Sequence, residues 1–599
     1  MNFLDSAPRF MFFTGKGGVG KTSIACAAAV RLARAGRKVL LVSTDPASNV
    51  GQVFGVSIGN TVTGIDGVPG LWALEIDPDQ AVQAYRERVI APMRGVLPQD
   101  DIASMTEQLS GSCTTEIASF NEFTALLTDE TSGYDHVLFD TAPTGHTIRL
   151  LQLPGNWSEF LTGGGDASCL GPLSGLDKQK AVYAAAVAAL ADPHRTRLVL
   201  VARPSRSALA EIARTRTELG NVGLSNQYVV INGVLPDATD TTDPLAAAIH
   251  RRELTAIDTM PAGVRDLPRD LVELKATNIV GTDTLTTLFD RTPPEPTPAV
   301  APTIVPALAD APLARLVDDI ERDGPCLIMS MGKGGVGKTT VAAAVAVALA
   351  ERGHDVHLST TDPATDLAET VGGSLEHLTV SRIDPAEAVA DYRARVMAGK
   401  GAALDAEGRA ALAEDLRSPC TDEVAVFQAF SHIIAESRRR FVVIDTAPTG
   451  HTVLLLDATG SYHRDIVRQM APGTRFVTPL MRLQDPTATK VLLVTLPETT
   501  PVLEATDLQA DLERAGIHPW AWIIDNSLAA AAPVDPLLRR RAAAELEQIR
   551  RVTTHTHRYA VIPTLADEPV GIPALTALTH PPRPATTIRR ASSANQTIT

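Results

Sequence analysis

The octapeptide GKGGVGKT occurs twice, letter for letter, at Gly15–Thr22 and at Gly332–Thr339. It follows an apolar run each time, Phe10–Phe13 and Cys326–Met329, and precedes an Ala-rich stretch, Ser23–Ala35 and Val341–Ala350. A glycine loop of this pattern between a buried strand and a helix is built to hold phosphate: its backbone N–H groups turn onto the phosphates at a helix N-terminus. The nucleotide-binding residues expected on this ground are Gly15, Lys16, Gly17, Gly18, Val19, Gly20, Lys21, Thr22 and Ser23. Their counterparts are Gly332, Lys333, Gly334, Gly335, Val336, Gly337, Lys338, Thr339 and Thr340. Lys21 and Lys338 reach the terminal phosphates of ATP, and Thr22 and Thr339 hold Mg²⁺.

The repeat extends well beyond the loops. Lys21 and Lys338 stand 317 positions apart, as do Asp45 and Asp362; Cys113 and Cys420 are 307 apart and Asp140 and Asp445 305. Constant order at a nearly constant offset is the mark of internal duplication. Strand-like runs beginning at Lys38, His136, Arg197 and Gln227 alternate with helical stretches, the pattern of a doubly wound sheet. The expected fold is α/β: two tandem P-loop NTPase domains, each a mostly parallel doubly wound sheet, forming a pseudo-dimer. Pro-rich Arg291–Pro306 has no apolar period and reads as a semi-rigid linker. The division expected is 1–290 and 313–582 for the two ATPase domains, 291–312 for the linker, and 583–599 for a disordered polar tail.

With 44% hydrophobic residues in 599, the chain can bury large cores. Its net charge of -15 opposes general nucleic-acid binding, which needs clustered Lys and Arg. No apolar run is long enough to span a bilayer and the N-terminus lacks the pattern of a secretory leader, so a cytoplasmic protein is expected. Five cysteines, none in a C-x-x-C pair, form neither a disulfide framework nor a finger-type zinc site.

Asp45 and Asp362 end strand-like runs within matched Thr-Asp-Pro-Ala segments. There a carboxylate can orient or deprotonate the water attacking the γ-phosphate, or hold Mg²⁺ through water. Helix capping is the structural alternative, which the repetition after both loops disfavours. Asp140 and Asp445 each end an apolar strand and open Asp-Thr-Ala-Pro-Thr-Gly-His, placing them as Walker-B carboxylates for Mg²⁺ with a loop that can move with the γ-phosphate. Asn232 and Asn526, at matching strand ends, can read the adenine edge, or serve as turn residues.

Three cysteines and two histidines stand apart. Cys113 and Cys420 open matched amphipathic segments, where a helix N-terminus biases a thiol toward thiolate. Cys169 has no twin, and His146 and His451 end the two Asp-Thr-Ala-Pro-Thr-Gly-His stretches. Three soft donors shared between two halves suit pyramidal As(III) or Sb(III), whereas zinc normally takes four ligands including a closely spaced pair. Cys26, in the Ala-rich helix, and Cys326, in a strand, read as buried structural thiols.

At these residues the chain resembles, over nearly its whole length, the arsenical pump-driving ATPase family of bacterial arsenite and antimonite efflux. The extra lysines Lys16 and Lys333 resemble those of deviant Walker A loops, which cross a dimer interface to the partner's nucleotide. The resemblance implies metalloid-stimulated ATP hydrolysis that energises extrusion through a membrane permease, with a metallochaperone delivering the ion. It assigns Cys113, Cys169 and Cys420 to the metalloid, with His146, His451 and Ser418 as further site residues, and Lys16, Lys333, Asp45 and Asp362 to catalysis. It implies a cytoplasmic monomer of two pseudo-dimeric halves, associated with the inner face of the membrane through the permease. Targeting factors for tail-anchored membrane proteins share such a fold but carry a zinc C-x-x-C pair and a Met-rich groove, against 10 Met and no such pair here. Partition ATPases would need a basic face or a terminal amphipathic helix, and the sequence has neither.

Overall fold

The structure is a computed structural model of the 599-residue chain. It describes residues 1–44, 50–94, 98, 102, 118, 121–127, 133–141, 176–221, 223–237, 242–291, 311–362, 365–416, 419–447 and 478–580. Two sheets carry the molecule. The first contains β1 (Phe10–Thr14), β2 (Val39–Ser43), β3 (Thr63–Gly64), β4 (Leu71–Glu75), β5 (His136–Asp140), β6 (Thr196–Ala202), β7 (Gln227–Val234) and β8 (Arg269–Glu273). Its order is β3-β4-β2-β5-β1-β6-β7-β8, parallel throughout except for the antiparallel β3 edge. The second contains β9 (Leu327–Met331), β10 (Val356–Thr360), β11 (Leu378–Arg382), β12 (Phe441–Asp445), β13 (Thr489–Thr495), β14 (Pro519–Ser527) and β15 (Tyr559–Pro563). It runs β11-β10-β12-β9-β13-β14-β15, the same winding without the antiparallel edge.

Each phosphate loop therefore leaves the middle strand, β1 or β9. A central parallel strand is covered on both faces, so it must be apolar without alternation. Accordingly, all five residues of β1 and of β9 are buried. The helices Lys21–Arg34 and Lys338–Glu351 that follow are Ala-rich on every side and almost wholly buried, small side chains letting them lie close to the sheet. Cys26 and Cys326 are buried in these packed regions, as expected, at 0% and 1% exposure. Burial drives the Cys26 thiol pKa well up and that of Cys326 to about 11, so both stay protonated and unreactive.

Helix Leu313–Asp323 lays Leu316, Val317 and Ile320 onto one face of the second sheet. The core on the opposite face includes Leu235, Ala246 and Ile249 of the first half. The halves are thus joined by apolar packing as well as by the chain. Among the described residues no helix is long and apolar enough to cross a membrane.

Candidate nucleotide-binding site

The two phosphate loops meet. A Cβ on Gly17 would overlap the Gly334 backbone, one on Gly18 would come within 2.8 Å of the Gly334 carbonyl oxygen, and one on Gly335 would strike the Gly17 carbonyl. The central glycines serve an interface as well as a turn. Each loop then passes into its helix through a left-handed glycine, Gly20 at φ 88° and Gly337 at φ 93°.

Inside each loop the lysine is drawn back over its own backbone: Lys21 Nζ donates to the Lys16 carbonyl at 3.2 Å and Lys338 Nζ to the Lys333 carbonyl at 2.9 Å. Burial lowers the Lys338 pKa, Asp445 and Asp362 oppose that shift, and Lys16 of the other half adds to it. Lys338 thus feels the charge of Lys16 from the other half.

Sequence reasoning missed what these extra lysines pair with. Lys16 Nζ lies 3.5 Å from Glu211 Oε2, on helix Arg206–Asn221 of its own half. Lys333 pairs in the same way with Glu504, on helix Thr499–Arg514. The glutamates are 11% and 7% exposed, so each ion pair is partly shielded from water. Their matched positions in the duplication were the available signal.

The Thr22 hydroxyl donates to Asp140 Oδ2 at 2.7 Å and the Thr339 hydroxyl to Asp445 Oδ2 at 2.8 Å, a repeated hydroxyl–carboxylate pair. Burial pushes the Asp445 carboxyl up to about 6 against the opposing pull of Lys338 and Thr339, while Asp362 adds to the rise. Asp445 Oδ1 is buried without a hydrogen-bond partner. An enclosed carboxylate oxygen left over beside a hydroxyl and an ammonium fits a divalent cation, which would supply the missing charge. Beyond the strands, the hydroxyls of Thr141 and Thr446 are tied back to the carbonyls of Phe13 and Ser330, both at 2.8 Å. Asp362 lies two residues beyond the end of β10, its amide donating to the Thr360 hydroxyl at 3.0 Å. The next helix, Leu367–Val371, is capped by Asp366, whose side chain accepts from Glu369, so the capping role does not fall to Asp362.

The base-side residues require one correction. Gly15 packs on the Val201 carbonyl and Gly332 on that of Val494. Across the sheet Val201 pairs with Val230, and Val494 with Ile523. Asn232 therefore matches Asp525, and Asn526 matches Gly233. The backbone agrees: Gly233 and Asn526 both have positive φ, 79° and 55°. A Cβ on Gly20 would collide with Asn232 Nδ2, and one on Gly337 with Asp525 Oδ2. Asn526 thus occupies a turn slot, and Asp525 stands beside the second loop.

Asp45, Cys113, His146, Cys169, Ser418 and His451 lie outside the described residues. Cys420 falls at the second position of helix Pro419–Glu436, its side chain likewise outside the description.

Two abutting phosphate loops, each with its hydroxyl–carboxylate pair at the end of a central parallel strand, define a tandem P-loop nucleotide hydrolase. A sequence model of the anion-transporting ATPases matches residues 8–292 and 326–484, and the chain belongs to that family. It is 59% identical to the arsenical pump-driving ATPase of Acidiphilium multivorum, covering 96% of this chain and all of that protein. An Escherichia coli protein of the same name is 60% identical, again over 96% of this chain and 100% of its own length. The ATPase GET3 of Ajellomyces dermatitidis is similar over a shorter stretch, 41% identical across 26% of this chain and 45% of that protein.

Proposed function

We propose that this chain hydrolyses ATP at its two phosphate loops to energise export of arsenite and antimonite through a membrane permease, conferring arsenic resistance. What carries the reading is full-length likeness to arsenical pump-driving ATPases in a chain whose two phosphate loops meet backbone to backbone. In it, residues 1–290 and 313–582 act as two ATPase domains joined by linker 291–312, with 583–599 as a tail.

Thr22 with Asp140, and Thr339 with Asp445, would hold Mg²⁺, which when bound neutralises phosphate charge. Lys21 and Lys338 bind the terminal phosphates, while Lys16 and Lys333 add positive charge from the opposite half. Asp45 and Asp362 orient the attacking water and accept its proton. As(III) or Sb(III) is both cargo and activator, taken by Cys113, Cys169 and Cys420 with His146, His451 and Ser418 beside them. His146 lies six residues beyond Asp140 and His451 six beyond Asp445, so each short segment links a phosphate-side carboxylate to a metalloid donor. The protein works in the cytoplasm at the inner face of the membrane, docked on the permease and supplied by a metallochaperone.

The test is the ATPase rate of the purified chain against antimonite and arsenite concentration. Stimulation by either ion is expected, and Cys113→Ser, Cys169→Ser and Cys420→Ser should each lose it. A rate indifferent to both ions would overturn the metalloid assignment and favour the tail-anchored-protein targeting reading, which the partial likeness to ATPase GET3 keeps in view.

A further inference from the structure

Asn232 and Asp525 hold the same place in two otherwise matching sites, yet offer different hydrogen-bonding groups. Each lies at the C-terminal end of the strand two removed from the loop strand, against the last glycine before the loop helix. Open parallel sheets bind ligands along this edge, so a residue here flanks the path from the phosphates toward the base. Asn232 is anchored to the loop, its Nδ2 donating to the Val19 carbonyl at 2.9 Å. That bond leaves the amide one further N–H and an acceptor oxygen.

Adenine presents the same pair of features on either accessible edge, a ring-nitrogen acceptor beside the N6 amino donor. An amide matches it with one donor and one acceptor. A carboxylate offers acceptors only and would set a negative oxygen against the ring nitrogen, whereas a protonated carboxyl again offers one donor and one acceptor.

We infer that Asp525 faces the base of the nucleotide held by the second phosphate loop, so that adenine is gripped by an amide at the first site and by a carboxylic acid at the second, given that both loops bind ATP as proposed above. The surroundings of Asp525 favour the acid form. Burial raises its carboxyl to about 7, opposed by the amide of Asn526. The charged groups on the adjoining elements have partners of their own. Lys338, which starts the adjoining helix, donates to the Lys333 carbonyl and is held in its charged form by Asp445 and Asp362 against the effect of burial. Glu545, on helix Pro536–His555, accepts from the Ser527 hydroxyl and the amides of Leu528 and Ala529. The second site should therefore weaken for ATP as pH rises through neutrality, while the first should not.

The experiment measures MgATP affinity in full-length chains with one loop disabled. In Lys21→Ala, where the second site remains, affinity should fall about tenfold from about pH 6 to about pH 8, following the protonated fraction. Adding the isosteric Asp525→Asn should flatten that profile and restore about tenfold at the higher pH. Lys338→Ala, which keeps the first site, controls for titration of the nucleotide and should be flat; adding Asn232→Asp to it should create the fall. If Asp525→Asn leaves both affinity and pH profile unchanged in a chain that binds ATP, the base contact is wrong and the ATPase reading stands. If the unmodified chain binds no ATP, both are overturned.

Discussion

Lys16 and Lys333 carry charges that a phosphate loop does not itself require, and both rest on glutamates of their own half. For either lysine to act on the opposite nucleotide it must leave Glu211 or Glu504, so these carboxylates compete with the phosphate for the same ammonium. A partly exposed pair such as Lys16–Glu211 contributes about 0.5–1 kcal/mol, which corresponds to about two- to fivefold in an equilibrium. Glu211→Gln should therefore lower the KM for ATP by about that factor. The shift should be larger for Glu504→Gln, because the Lys333–Glu504 pair is the less exposed at both ends. Steady-state kinetics on the two full-length variants decide the matter, and unchanged KM in both would mean that the glutamates do not restrain the lysines.

At the level of elements, the contact between loops makes a strong demand on sequence. Gly17→Ala would drive a methyl into the Gly334 backbone, which cannot swing aside as a side chain can. The loops must separate or the halves must shift, at a cost of about 1–3 kcal/mol. Thermal melting should fall and ATP hydrolysis with it, while Gly59→Ala, with nothing within 4 Å of the added methyl, should match the parent. A Gly17→Ala protein with parental melting and activity would show that the loops can part freely. The parallel strands were legible as unbroken apolar runs because burial on both faces removes alternation, and the loop–helix junctions because only glycine turns there without strain. The end of β14 was not. Matching Asn526 to Asn232 by residue type slips one position, since asparagine also tolerates the left-handed slot that Gly233 fills in the first half. Only strand pairing sets that phase. The Glu211 and Glu504 partners were hidden for a related reason: an acidic residue on a helix is unremarkable until the fold brings it to a lysine far away in the chain.

For the whole molecule, the halves are fastened by hydrogen bonds as well as by apolar packing. Asp243 caps helix Pro244–Asp258 through the Leu245 amide and also accepts from Val534 and Asp535 of the other half, where Asp535 caps helix Pro536–His555. Arg252 donates to the Leu565 and Ala566 carbonyls, and Arg541 to that of Lys275. A metalloid bridging the halves would thus adjust an interface that already exists, rather than create one. On these same helices sit Glu253, accepting from the Leu235 amide at 2.7 Å, and Glu545, accepting from Leu528 and Ala529. Burial lifts both carboxyls from 4.5 to about 7 against the pull of their backbone donors. A raised folded-state value means that the folded protein keeps protons which the unfolded chain releases. The stability they contribute is full below about pH 4.5, declines as pH rises, and is lost above about pH 7, on the order of 3 kcal/mol for each group. Asp243 acts in the opposite sense. Burial would raise it, but the amides of Asp535, Val534, Leu245 and Ala246 outweigh that and hold it below the usual carboxylate range, so its contribution is lost only in acid. Melting temperature should therefore fall as pH rises from about 5 to about 8, and Glu253→Gln with Glu545→Gln should flatten the fall, since glutamine does not titrate and its single oxygen still accepts the Leu235 amide at position 253 and one of the two amides at position 545. A double variant that keeps the parental slope would place the titrating groups elsewhere.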